Sequence, residues 1–383
     1  MIRDEFLVYG NPAIEEAEIA EVVDSLRSGW IGTGPKVALF EQEFKNYVGA
    51  EYAIAVSSCT AALHLSMIVS GIGQGDEVIT TPMTFCATAN AILHTGAVPV
   101  FVDIDPTTMN IDPELVEKAI TKRTKAILPV HFAGRPCDMK SLMRIAKDYG
   151  LHLIEDCAHA IETSCEMGKV GSIGDLSCFS FYVTKNVVTA EGGMITTNRK
   201  DWADKLKIYA LHGMSRDAWK RYSDDGFRHY EVLVPGFKYN MTDIQASLGI
   251  HQLRRVNETL SRRNEIWERY NNEFDELKVA TPANCPSDVV HARHLYTILI
   301  DEDFLGCNRN TFQERMQRSN IGTGIHYTAL HLQPFYQKTF NLQKGDFPAA
   351  EYISDRTLSL PLGPKMTDHD VSDVIRAVKE CCH

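Results

Sequence analysis

No stretch of the 383-residue chain approaches the roughly 18–20 uninterrupted apolar residues that a membrane helix requires. The N-terminal segment MIRDEFLVYGNPAIEEAEIAEVV has charges inside its first apolar stretch, so it lacks the core of a secretory signal. Ten cysteines are present, yet no two form a CxxC pair, and the adjacent Cys381 and Cys382 cannot make a relaxed bridge. Reduced thiols and a cytoplasmic location are expected. Positive charge is in deficit: Lys and Arg number 39 against 50 Asp and Glu, a formal net charge of −11. That balance disfavours non-specific attraction to nucleic acid or anionic lipid, so an anionic substrate would need a local cationic pocket.

Familiar binding signatures are missing too. SGIGQGDEV lacks GxGxxG spacing and reads as a turn. DIDPTTMNID lacks the glycine and terminal Glu of a calcium loop and reads as a surface loop. His326 and His331 do not form HExxH, and no metal is expected. Internal repeats and low-complexity tracts are absent. What is present is 44% hydrophobic residues, enough for a packed core.

The apolar pattern predicts alternating strands and helices. A first helix is expected with Asn11 as N-cap and Pro12 at its first position, ending near Gly29. The glycine-rich loop Gly29–Pro35 and an amphipathic helix through Leu39, Phe44 and Val48 follow. Strands are predicted at 53–57, 77–80, 98–103, 126–131, 151–155, 177–181 and 193–197, with helices at 61–70, 87–94 and 139–149. Such alternation implies a mostly parallel sheet covered on both faces, with ligands at the carboxyl ends of its strands. Residues 242–277 read as one long charged helix bearing Arg254, Arg255, Arg262 and Arg263. A large domain over 1–249 and a small C-terminal domain over 250–383 are expected.

Three strand ends carry unusual residues. In SSCTAALH, Ser58, Thr60 and Ala61 suit an anion site at a helix N-terminus, and equally an ordinary cap. In HLIEDCAHA, Asp156 follows an apolar strand and needs a partner, for which a protonated pyridine nitrogen is one candidate and a helix cap another. His159 lies three residues on. In CFSFYVTKN, Lys185 follows a strand end beside Ser180, Thr184 and Asn186, where burial eases loss of its proton and suits it to a Schiff base.

These segments, with SGWIGTGP, GAVPVFVDIDPTTMNID, TKAILPVHFAGRPCDM, EGGMITT, PGFKYNMTDIQASLG and IGTGIHY, closely resemble the sugar aminotransferases of the DegT/DnrJ/EryC1/StrS family over nearly the whole chain. The resemblance implies the aspartate aminotransferase-like fold (fold type I), an α/β architecture with a smaller C-terminal α/β domain and pyridoxal 5'-phosphate as cofactor. It makes Lys185 the Schiff-base residue and proton shuttle, and pairs Asp156 with the pyridine nitrogen. It sets Phe85 on the ring face, Thr60, Ala61 and Ser180 at the phosphate, and His159 beside the ring. Asn240 would reach the phosphate of the other subunit's cofactor, making a homodimer with shared sites. His326 and the Gly29–Pro35 loop match substrate-side segments, although Gly32 stands where relatives often carry a hydroxyl residue. Arg228 or Lys238 of the partner's loop would hold a nucleotide diphosphate.

The wording after Lys185, EGG in place of GDGG, and PGFKYN resemble the branch that aminates carbon 4 of a nucleotide-linked keto-sugar, including the enzymes making UDP-4-amino-4-deoxy-L-arabinose. L-Glutamate is the implied donor. A carbon-3 enzyme, a cysteine desulfurase or aldolase of related fold, and a non-catalytic regulatory member are the alternatives.

Overall fold

Two-residue alternation builds a sheet with a core on each face. In β1 (Tyr52–Val56), Ile54 and Val56 enter one core while Ala53 and Ala55 enter the other. In β8 (Leu176–Ser180), Leu176 and Cys178 face the first core and Phe179 the second. This is the fold of a computed structural model that describes residues 3–215, 230–277 and 279–382.

Between β1 and β8 the chain lays down β2 (Glu77–Thr80), β3 (Val98–Phe101), β4 (Thr124–Ile127), β5 (His152–Asp156) and a two-stranded ribbon of β6 (Ser164–Cys165) and β7 (Gly168–Lys169). β9 (Gly193–Thr197) completes a seven-stranded sheet of order β1-β9-β8-β5-β4-β2-β3. The pairs β2–β3, β2–β4, β4–β5 and β5–β8 are parallel, while β9 runs antiparallel to β1 and β8. Every strand but β9 therefore ends on the same edge of the sheet, and β9 begins there. A second, antiparallel sheet joins β10 (Val279–Ala280), β11 (Tyr296–Ile300) and β12 (Thr357–Leu360).

The first helix, α1 (Glu16–Ser28), starts later than its Asn-Pro signal suggested. The guanidinium of Arg255 and the amide of Gln252 donate to the Ala13 carbonyl at 2.7 and 2.6 Å, which holds residues 11–14 out of the helix. Glu15 instead donates its N–H to Glu18 Oε2 at 3.0 Å, and buried Glu18 pairs with Arg255. The long helix expected over 242–277 also breaks at Arg255. It is two helices, which with α2 (Pro35–Val48), α3 (Cys59–Val69), α4 (Cys86–His94), α5 (Pro113–Ala119), α6 (Met139–Tyr149) and α7 (Lys200–Ala210) become α8 (Asp243–Arg254) and α9 (Val256–Phe274). Arg263, one of the four arginines along that charged stretch, is buried against Glu162.

DIDPTTMNID is a surface loop, as expected, closed by a tight turn with Asp105, Pro106 and Thr107 exposed. Asp105 accepts the N–H groups of Thr107 and Thr108 at 2.8 and 2.7 Å, while Ile104, Met109 and Asn110 are buried. All ten cysteines are unpaired. Among the described residues, no helix is long and apolar enough to cross a membrane.

The small residue at 249 lets α8 approach α2 closely. A Cβ there would stand 2.6 Å from the Phe40 ring. Gly249→Ala should cost about 1–3 kcal/mol through overpacking. The denaturant midpoint checks this, and an unchanged midpoint would show that Phe40 can move aside.

Candidate active site

The strand ends converge on a cavity of about 530 Å³, a size usual for small-molecule sites. Ser58, Thr60, Phe85, Asp156, His159, Ser180, Lys185 and His326 all line it. At one side stands the N-terminus of α3, whose first N–H groups have no partner within the helix. Ser58 caps it, its Oγ accepting the Ala61 N–H at 3.1 Å. The cap reading and the anion-site reading thus coexist, with Thr60 on the cavity wall. Ala61 lies buried behind the wall, its N–H already committed to Ser58. Gly193 permits this layout, because a Cβ there would lie 2.5 Å from the Ser58 carbonyl carbon.

Asp156 ends β5 on the cavity floor and is 5% exposed. Its Oδ2 accepts the Thr88 hydroxyl at 2.8 Å and its Oδ1 the Ala158 N–H at 3.1 Å. Burial raises its carboxyl pKa, while these hydrogen bonds and the charges of Lys185 and His131 oppose the rise. His159 accepts the Ala133 N–H on Nδ1 at 3.2 Å, and its Nε2 lies 3.1 Å from the Tyr327 hydroxyl. His326 Nδ1 meets Ser359 Oγ at 2.8 Å, and burial lowers its pKa to about 4, so its ring is neutral near pH 7.

Lys185 sits in the turn after β8, its N–H donating to the Tyr182 carbonyl at 2.8 Å. Among the described residues its Nζ has no hydrogen-bond or ion-pair partner. Burial lowers its pKa from 10.5 to about 8, with Cys59 and Asp156 opposing the shift. The next residue anchors the turn: Asn186 Nδ2 donates to Glu162 Oε2 at 2.8 Å and to the Ala292 carbonyl at 3.0 Å. Its Oδ1 faces His294 Nδ1 at 2.9 Å, and Arg263 completes the network on Glu162. A smaller cavity of about 270 Å³, lined by Asn11, Pro12, Asn186 and His294, lies against another side of Lys185.

Two expected segments stay outside the main cavity. Asn240 Nδ2 donates to Thr33 Oγ1 at 2.6 Å, and neither it nor any residue of the Gly29–Pro35 loop lines the wall. Lys238 is exposed, and Arg228 lies outside the described residues. Sequence reasoning did not single out Thr88 or Tyr327. The spacing in TFCATAN, which sets Thr88 one helical turn after Thr84, could have flagged the first. Tyr327 comes from the far end of the chain, and only folding brings it to His159.

The residues present fit pyridoxal phosphate: an anion-suited helix terminus, a buried carboxylate and a depressed lysine share one cavity. A model described as the DegT/DnrJ/EryC1/StrS aminotransferase family matches residues 12–379. The spore coat polysaccharide biosynthesis protein SpsC of Bacillus subtilis is 50% identical over 379 residues, 99% of this chain and 97% of the relative. Spr1654 of Streptococcus pneumoniae, described as a sugar aminotransferase, superposes in its PLP form with a TM-score of 0.91 at 34% identity, covering 98% of each chain. DesI, solved in the presence of its TDP-sugar product, superposes with a TM-score of 0.87 at 30% identity, covering 99% of this chain and 93% of DesI. The chain belongs to the DegT/DnrJ/EryC1/StrS family and is a pyridoxal-phosphate-dependent sugar aminotransferase.

Proposed function

We propose that this enzyme moves the amino group of L-glutamate to carbon 4 of a keto-sugar linked to a nucleoside diphosphate. The observation that carries the reading is Lys185, a half-buried amine without a hydrogen-bond partner among the described residues, its pKa lowered to about 8, lining the same cavity as Asp156. Pyridoxal phosphate, when bound, supplies an electron sink that stabilises negative charge at the carbon losing or gaining the amine. Lys185 takes a proton on Nζ and returns it, general-base work that a neutral amine performs. The Asp156 carboxylate, kept in place by Thr88 and Ala158, gives a cationic ring nitrogen its counter-charge. Thr60 and Ser180 hold the phosphate with the α3 terminus, and Phe85, 58% exposed, covers the ring face. His326 contacts the substrate.

The EGG and PGFKYN segments support carbon 4, and the TDP-sugar product of DesI supports a nucleotide-linked substrate. The active unit is a homodimer in which Asn240 and the Gly29–Pro35 loop complete the partner's cavity, with Lys238 near the diphosphate. The Asn240–Thr33 bond supports this, since it ties the two segments together. Trp30, Ile31, Val232 and Leu233 on the flanking segments are each more than half exposed, as suits an interface. The protein works in the cytoplasm. The large domain covers residues 1–249 and the small one 250–383, with the division falling inside α8.

The test is incubation of the PLP-loaded enzyme with L-glutamate and UDP-, dTDP- and GDP-linked keto-sugars, read by mass spectrometry. An aminated 4-keto-sugar formed with an equal amount of 2-oxoglutarate is expected. Amination confined to 3-keto-sugars would overturn the carbon-4 reading.

A further inference from the structure

Tyr327 sits on the cavity wall between Phe85 and His159. We propose that it is a fixed hydrogen-bond donor, aimed by the Ala133 backbone through His159 at an anionic or carbonyl oxygen held in the cavity. The inference rests on the cofactor site described above.

The polarity follows from proton counting. His159 Nδ1 accepts the Ala133 N–H, so it carries no proton. A neutral imidazole then bears its proton on Nε2, and that nitrogen donates to the Tyr327 oxygen 3.1 Å away. The phenol has one hydrogen of its own, and with its oxygen receiving from His159 that hydrogen is left for a third partner. Among the described residues, His159 is the only group within hydrogen-bonding distance of the Tyr327 hydroxyl.

The relay is held at both ends. Ala133 lies at φ 56°, and its carbonyl accepts the His294 N–H at 3.0 Å, which fixes the orientation of that turn. The His159 ring packs against His294 at 4.3 Å between centroids and lies within 15° of the Tyr327 plane. Burial, with the positive charge of Lys185 adding to it, keeps His159 neutral. A neutral donor in a half-dry cavity suits an acceptor that carries or develops negative charge. Two oxygens meet that description: the phenolic oxygen of the cofactor and the carbonyl oxygen of the keto-sugar.

The experiment compares Tyr327→Phe, His159→Leu and His159→Gln with the parent, all PLP-loaded. Glutamine can accept from Ala133 and donate to Tyr327, so it preserves the polarity that leucine destroys. The first readout is the pH titration of visible absorption; the second is each half-reaction in single turnover. The groups facing the hydroxyl are Asp156, His159, His326, Tyr9, Cys86 and Lys185, and Tyr327→Phe leaves all of them in place. A cofactor oxygen as acceptor predicts that Tyr327→Phe and His159→Leu raise the absorption midpoint by about one unit, with His159→Gln close to the parent. A substrate oxygen as acceptor leaves the midpoint unmoved and slows only the keto-sugar half-reaction, about tenfold or more. Either pattern supports the donor. Unchanged midpoint and rates in Tyr327→Phe, or a glutamine variant as impaired as the leucine one, would overturn it. A parent protein that develops no absorption with PLP would instead sink the cofactor site itself.

Discussion

Replacement of Lys185 by alanine should lower single-turnover consumption of L-glutamate by about 10⁴-fold, the upper range for a positioned acid–base group. The variant should still bind pyridoxal phosphate, since Thr60, Ser180 and Asp156 remain, but without the visible band of a lysine-linked cofactor. Near-normal turnover would remove Lys185 from the chemistry. The same residue sets a pH dependence with a definite sign. Burial favours the neutral amine, so its pKa is about 8 instead of 10.5 and the reactive form accumulates at lower pH. Capture of pyridoxal phosphate by cofactor-free protein should rise with pH through about 8 and then level off. A rate still climbing near 10.5 would describe an exposed lysine, not this one.

Asp156→Asn should reduce both half-reactions by about 10²–10³-fold, the usual loss when one preorganised electrostatic group is removed. Asparagine keeps the shape of the side chain and can still accept from the Ala158 N–H, so the cavity should survive. What it lacks is the charge. A buried carboxylate is costly on its own, and its pKa is raised accordingly, but a cationic ring nitrogen nearby repays that cost. The visible spectrum separates loss of charge from loss of cofactor, because a loaded but slow variant keeps its band. An unchanged rate in a fully loaded variant would exclude Asp156 from the pairing role.

The strand ends were the legible part of the site. Apolar runs with strand length and turn residues marked β1, β5 and β8, and the residues at or past their ends (Ser58, Asp156, Lys185) stood out because polar groups there need partners. Their convergence follows from the parallel sheet, which puts successive strand ends on one edge. Helix starts were less legible. Asn11-Pro12 is a sound local signal, yet two long-range hydrogen bonds to the Ala13 carbonyl outweigh it. Arg263 read only as one of four arginines on a charged helix, and its burial beside Glu162 depends on a contact 101 residues apart.

By itself, the sequence determined the α/β class, the family, the cofactor and the three chemistry-bearing loops, because each depends on residues adjacent in the chain. Tertiary structure alone decided what surrounds them. It set Thr88 on Asp156, Tyr327 on His159 across 168 residues, and the Asn186–Glu162–Arg263 network under the lysine turn. It also kept Asn240 out of its own cavity and against Thr33. The physical reason is that hydrogen-bond direction, burial and proton affinity belong to groups brought together in space, and chain order does not encode those distances.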